Sequence, residues 1–166
     1  TNNVTSRAVT FNAADLTVAG SAPAAAAWGE RIALTWTVTN SGNGPATAGW
    51  WDMVYLSTDS VYDSGDTLLA SEYRSAAGGL AGASSYSVSK AAVSVTAIPS
   101  TVGTGPMFLL FLADVYGQQS EQNEANNASA VPIAIRAADL TVSVTAPAAA
   151  EAGKAVTVGW TVTNGG

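Results

Sequence analysis

A long internal repeat constrains this chain more than any other feature. Residues 14–42 read ADLTVAGSAPAAAAWGERIALTWTVTNSG, and residues 138–166 read ADLTVSVTAPAAAEAGKAVTVGWTVTNGG. The two align without a gap over 29 positions, 17 of them identical, at an offset of 124 residues. Carried backwards, the same offset lays Asn2 and Asn3 on Asn126 and Asn127. Residues 1–13 therefore read as the tail of a preceding copy, 14–137 as one complete copy, and 138–166 as the truncated start of the next. A period of 124 is too long for a solenoid unit of roughly 20–50 residues. It suits a string of domains, each folding around its own core.

Inside the complete copy the pattern is β. Ile32, Leu34, Trp36 and Val38 alternate with Ala33, Thr35, Thr37 and Thr39, which gives one apolar and one threonine face. The later copy repeats this with Val156, Val158, Trp160 and Val162. Asn40, Gly42, Asn43, Gly44 and Pro45 then supply a turn. Further strands are expected at 15–19, 50–57, 68–74, 85–96, 107–115 and 129–136. The alanine run at 22–27 is split by Pro23 and shows no rhythm. Tyr86 and Val88 differ in parity from Val93 and Val95, so a bulge is expected at 90–92. Residues 107–113 are apolar on both faces, which predicts a central strand with its outer face partly covered. The whole reads as an all-β, immunoglobulin- or fibronectin-III-like, seven-stranded two-sheet sandwich, with Trp36 in the core. The chain enters at one end of such a sandwich and leaves at the other, as tandem repeats require.

Composition narrows the chemistry. The chain has no Cys and no His. It therefore has no disulfide framework, no thiolate or imidazole metal ligand and no Ser-His-Asp catalysis. Charged residues make up 11% and the net charge is −6, which argues against nucleic acid, whose phosphates need Lys and Arg. No apolar run reaches the ~18 residues of a membrane span, and no signal peptide is visible at Thr1.

An ordered set of motifs carries a family resemblance. It begins with Ala14-Asp15-Leu16-Thr17-Val18 and continues with Trp36-Thr37-Val38-Thr39-Asn40 and Gly42. Asp52-Met53-Val54-Tyr55-Leu56-Ser57-Thr58-Asp59 follows, then Asp63, Gly65-Asp66-Thr67-Leu68-Leu69 and Leu112-Ala113-Asp114. It closes with Glu121, Asn123-Glu124 and Asn126-Asn127. In this order and spacing the chain resembles the CARDB family, the cell-adhesion-related domain of bacteria. The resemblance implies a non-catalytic extracellular β-sandwich module, repeated in large secreted or cell-surface proteins. The segment 97–105 departs from the compact Pro-x-Gly turn more usual in the family.

Two groups of residues are candidates for binding. Asp59, Asp63 and Asp66, near Asp52 and Glu72, form one carboxylate group; Asp114, Glu121 and Glu124, with Asn123, Asn126 and Asn127, form the other. Oxygen-rich loops of this kind suit Ca²⁺, which takes hard oxygen ligands. Each group reads equally as turn chemistry: Asp63 and Gly65 would shape a hairpin, Asp59 would cap amides, and the Asn side chains would bond to loop backbone. Asp139, which repeats Asp15, places a carboxylate at the joint between copies. Together with the 59–66 loop it would form a calcium site there, while the 121–127 loop would face the preceding joint. Among the aromatics, Trp28, Trp50, Trp51, Tyr62 and Tyr116 lie in or beside predicted loops, where flat rings stack on sugars or pack locally. The chain is expected to be a structural and adhesive module, not an enzyme. Its expected partners are neighbouring repeats and a protein or glycan ligand, with no nucleic acid and no membrane insertion. The competing reading is a carbohydrate-binding accessory module of a secreted hydrolase.

Overall fold

Alternation at period two becomes strands throughout. The computed structural model describes residues 3–95 and 105–166. Among them the elements are β1 (Leu16–Ser21), β2 (Ala25–Ala27), β3 (Arg31–Asn40), β4 (Trp50–Ser57), β5 (Thr67–Arg74), β6 (Ser84–Ser94), β7 (Gly105–Leu112), β8 (Ala128–Arg136), β9 (Leu140–Thr145) and β10 (Gly159–Asn164). The segment 97–104, where the sequence departs from the family pattern, lies outside the described residues. No described helix is long and apolar enough to cross a membrane.

Two sheets face each other, one ordered β1-β3-β6 and the other β2-β8-β7-β4-β5. Between them lies a core of Leu16, Leu34, Trp36, Val38, Trp50, Val54, Leu56, Leu109, Phe111, Ile133 and Ile135. The rings of Trp36 and Phe111 sit 6.2 Å apart across the sheets. Phe111 also crowds β1 so closely that any Cβ at Gly20 would overlap its ring. β7 lies between β8 and β4, as its two apolar faces require. Its outer face joins a second cluster of Met53, Tyr55, Leu110 and Leu112, flanked by Trp51, Phe108 and Val115. The expected bulge is present: Ile32 pairs with Val93 but Leu34 with Lys90, leaving an extra residue on β6 between them.

Among the described residues the two facing sheets contain eight strands rather than the seven expected. The addition is β2, three alanines running parallel to the end of β8. A strand this short shows no hydrophobic period; it exists because β8 offers a free edge. It lets the first segment of the copy run along β3 in one sheet and then cross to β8 in the other.

β9 and β10 form a separate hairpin. Its register, from Leu140 opposite Asn164 to Thr145 opposite Gly159, reproduces that of β1 on β3, from Leu16 opposite Asn40 to Ser21 opposite Thr35, at the offset of 124 throughout.

Candidate metal centre

The loop at 121–127 grips the chain where it enters the sandwich. Ala14 bridges to Glu121, and the amide of Gln122 donates to Ala14 O at 2.8 Å. A Glu121 carboxylate oxygen accepts the amide of Leu16, the first residue of β1. Asn126 Nδ2 donates to Asp15 Oδ1 at 2.9 Å, and Gln122 Nε2 to Ala13 O at 2.9 Å. On the other side of the incoming chain lies the turn after β3. The fully buried Asn40 accepts the Asp15 amide at 3.0 Å and donates to Gly44 O and Leu80 O. Gly42 packs so tightly against the backbone at Ala13 and Asp15 that a side chain there would clash.

Three carboxylates meet at this loop. One oxygen each from Asp114, Glu121 and Glu124 lies within 4.8 Å of the other two, and no other such group of three occurs among the described residues. Asp114 follows β7 in a left-handed conformation, φ 46°. Its two oxygens accept the amides of Gln118 and Gln119, each at 2.8 Å. Glu124 accepts the amide of Glu121 at 3.0 Å, and Glu121 also accepts Asn127 Nδ2 at 3.0 Å. Burial raises the pKa of Asp114 from its ordinary value, opposed by the amides of Gln119 and Gln118. Burial likewise pushes Glu121 up to about 7, against the opposing hydrogen bonds from Leu16 and Asn127, with Glu124 and Asp114 adding like-charge repulsion. The side-chain oxygens of Asn126 and Asn127 are buried without a donor. An all-oxygen set of three carboxylates fits a hard cation such as Ca²⁺ better than a soft one. Bound there, a divalent cation would supply positive charge to three crowded acids and favour the ionised form of Glu121.

The first carboxylate group is arranged differently. Asp59 Oδ1 accepts the Val61 amide at 2.7 Å, Asp63 Oδ1 the Gly65 amide at 2.6 Å, and Asp66 Oδ2 the Asp63 amide at 2.9 Å. Asp139 sits where β9 begins, its amide donating to Asn164 at 3.0 Å as that of Asp15 does to Asn40. Glu72 pairs with Lys90 at 2.6 Å and so ties β5 to β6.

Asp52 is the residue whose role sequence reasoning missed. It is fully buried between the sheets, where it accepts Trp36 Nε1 at 3.2 Å, Trp50 Nε1 at 3.1 Å and Tyr86 Oη at 2.5 Å. Burial raises its pKa, opposed by these donors and by the backbone of Asp114. The signal was its parity: Asp52 shares a face with Trp50, Val54 and Leu56. Of the aromatic candidates, Trp50 is therefore core, and Trp28 packs against that core. Trp51 lies on the outer face 5.1 Å from Tyr73. Tyr62 and Tyr116 are exposed. Tyr62 rims a cleft of about 260 Å³ that Asp114, Glu124 and Asn127 also line.

The sequence model of the CARDB family matches residues 13–131. The chain belongs to the CARDB family. CARDB domains are non-catalytic β-sandwich modules, and the fold described above is of that kind. A solved CARDB domain from Pyrococcus furiosus, crystallised in complex with di-metal ions, superposes with a TM-score of 0.55 at 18% identity, covering 76% of this chain and 97% of that one. A solution structure of that domain gives a TM-score of 0.54, also at 18% identity, over 75% of this chain and 97% of that one. A β-glucosidase from Listeria innocua matches with a TM-score of 0.46 at 15% identity over 74% of this chain, but this spans only 16% of the enzyme. No curated protein matches the chain.

Proposed function

We propose that this CARDB chain is a structural and adhesive unit of a tandem array outside a bacterial cell, with Ca²⁺ held by Asp114, Glu121 and Glu124 where the chain enters each copy. The observation that carries this reading is the double role of Glu121, which belongs to the carboxylate cluster and also accepts the first amide of β1. A cation on that cluster would keep Glu121 ionised and its grip on the incoming strand firm. That a relative from Pyrococcus furiosus was crystallised with di-metal ions supports metal binding by a domain of this family, and the buried, unpartnered Asn oxygens leave acceptors free at this loop. The identical hairpin registers of 16–40 and 140–164 support the array, in which Asp139 would meet the acidic loop of the following copy as Asp15 meets Asn126. Freedom from Cys and His and the acidic surface suit a module that works outside the cell by packing and loop contacts rather than by catalysis. Adding Ca²⁺ to the isotopically labelled chain should move the amide resonances of Leu16, Gln118 and Gln119 saturably and leave those of Val61 and Gly65 in place. Unmoved resonances at millimolar Ca²⁺ would refute the site.

Glycan binding is the second reading, favoured by the exposed rings of Tyr62 and Tyr116 on the face that carries the cleft. Glycan-array binding lost on Tyr62→Ala, with the melting temperature unchanged, would move the assignment to it.

A further inference from the structure

β5 and β6 are outer strands of the two facing sheets, and two cations bridge the seam between them in different ways. Lys90 of β6 meets Glu72 of β5 at 2.6 Å, a complete ion pair. Arg74 of β5 has no such partner: among the described residues no carboxylate pairs with it. Its guanidinium carbon instead lies 4.6 Å from the centre of the Tyr86 ring. Its Nη2 makes one long bond, to Gly79 O at 3.4 Å. A guanidinium carries five N–H donors in a planar fork, so most of this fork is unused. That is a site of positive charge in a chain with six cations and twelve acids.

The surroundings of the fork are fixed by the core. Tyr86 Oη donates to Asp52 at 2.5 Å and accepts Trp50 Nε1 at 3.1 Å, so the ring beside Arg74 is anchored between the sheets. Arg74 lines a cleft of about 370 Å³ together with Glu72, Tyr73, Ser75 and Ser87. Glu72 is neutralised by Lys90, which leaves the charge of Arg74 uncancelled there. Tyr73 is half exposed yet held in place. Trp51 lies 5.1 Å from it, and its hydroxyl sits where any Cβ at Gly49 would overlap it. Ser75 Oγ accepts the Ala77 amide at 3.2 Å and keeps its own proton to donate.

We propose that this cleft binds an acidic sugar, with Arg74 taking the two oxygens of its carboxylate side by side and Tyr73 packing against its ring. A carboxylate matches the guanidinium fork in both charge and spacing. Stacking on Tyr86 orients the fork in advance, so little freedom is lost on binding. The aromatic ring and the serine hydroxyls suit a flat ligand that carries hydroxyl groups, as a uronate does. All the lining residues fall within 72–88, inside the complete copy. None of them belongs to the acidic loop, so the cleft gives the adhesive role a ligand class without depending on a bound cation.

The test is titration of the isotopically labelled whole chain with a short oligogalacturonate, with Ca²⁺ removed by chelation. The Arg74 Nε–H resonance and the amides of Ser75, Gly78 and Ser87 should move saturably. The neutral oligogalactose of the same length should bind at least about tenfold more weakly, since it lacks the charge-assisted bonds. Arg74→Lys keeps a cation beside Tyr86 but loses the fork, and should weaken binding about tenfold with an unchanged circular dichroism spectrum. Tyr73→Ala, at a half-exposed position, should also weaken it and carries the same test if Arg74→Lys loses its fold. Tyr62→Ala should leave binding unchanged. No saturable shift at millimolar sugar acid, or equal binding of the neutral sugar, would overturn the proposal. So would full binding by folded Arg74→Lys, loss of binding in Tyr62→Ala, or tighter binding of an oligoglutamate peptide than of the sugar.

Discussion

At the scale of single residues, the molecule holds acids in three different ways. Asp59, Asp63 and Asp66 cap nearby amides in exposed turns. Asp52 is a core residue whose oxygens serve two indoles and a phenol. Asp52→Ala strands those donors in an apolar interior and should cost about 3–5 kcal/mol in chemical denaturation. Trp36→Ala removes a buried ring and should cost a similar amount, about 3–5 kcal/mol. If either variant melted like the parent, the inward face of β3 or β4 would be wrongly assigned. Glu121 behaves differently because its pKa rises from 4.5 to about 7 on folding. The folded chain then binds that proton more tightly than the unfolded chain does. Its contribution to stability is complete below the unfolded value and is lost as pH climbs through the folded one. The melting temperature without metal should therefore fall between about pH 5 and about pH 8, and Glu121→Gln should flatten that fall. Ca²⁺ favours the ionised form, so its stabilising effect should grow over the same interval. A larger effect at the acid end would contradict this linkage.

At the scale of elements, legibility in the sequence followed the range of the interaction. The long strands, the bulge opposite Ile32 and the central place of β7 were all readable, because burial on one face writes a period-two pattern locally. β2 was not, since three alanines become a strand only through pairing with β8 more than 100 residues later. The second acidic group was visible as a cluster in sequence. Its hold on β1 was not, because the contact from Glu121 to Leu16 spans 105 residues. β10 makes the same point within the repeat. β3 begins at Arg31, but β10 begins only at Gly159, the equivalent of Thr35, so it covers just the stretch that β9 pairs. Hydrogen exchange at low micromolar concentration should accordingly show strong protection of residues 32–38 and little of 156–162. Equal protection would mean that the hairpin is already covered. Gly20, pressed against Phe111, corresponds to Val144 in the hairpin. Gly20→Val should cost about 1–3 kcal/mol through overpacking, measured by thermal or urea unfolding.

At the scale of the whole molecule, the sandwich fixes where the chain comes in and where it goes out. β8 carries the chain from the acidic loop at one end to Arg136 at the other, and the next hairpin begins four residues later at Leu140. On the proposed reading, the acidic loop at the incoming end holds a divalent cation. Calorimetric titration of the chain with Ca²⁺ near neutral pH tests it most directly, with Glu121→Gln, Asp114→Asn and Asp63→Ala measured in parallel. Saturable heat is expected for the parent and for Asp63→Ala, abolished in Glu121→Gln and Asp114→Asn while their circular dichroism spectra stay native. No heat from the folded parent at millimolar Ca²⁺, or heat lost in Asp63→Ala and retained in Glu121→Gln, would contradict it.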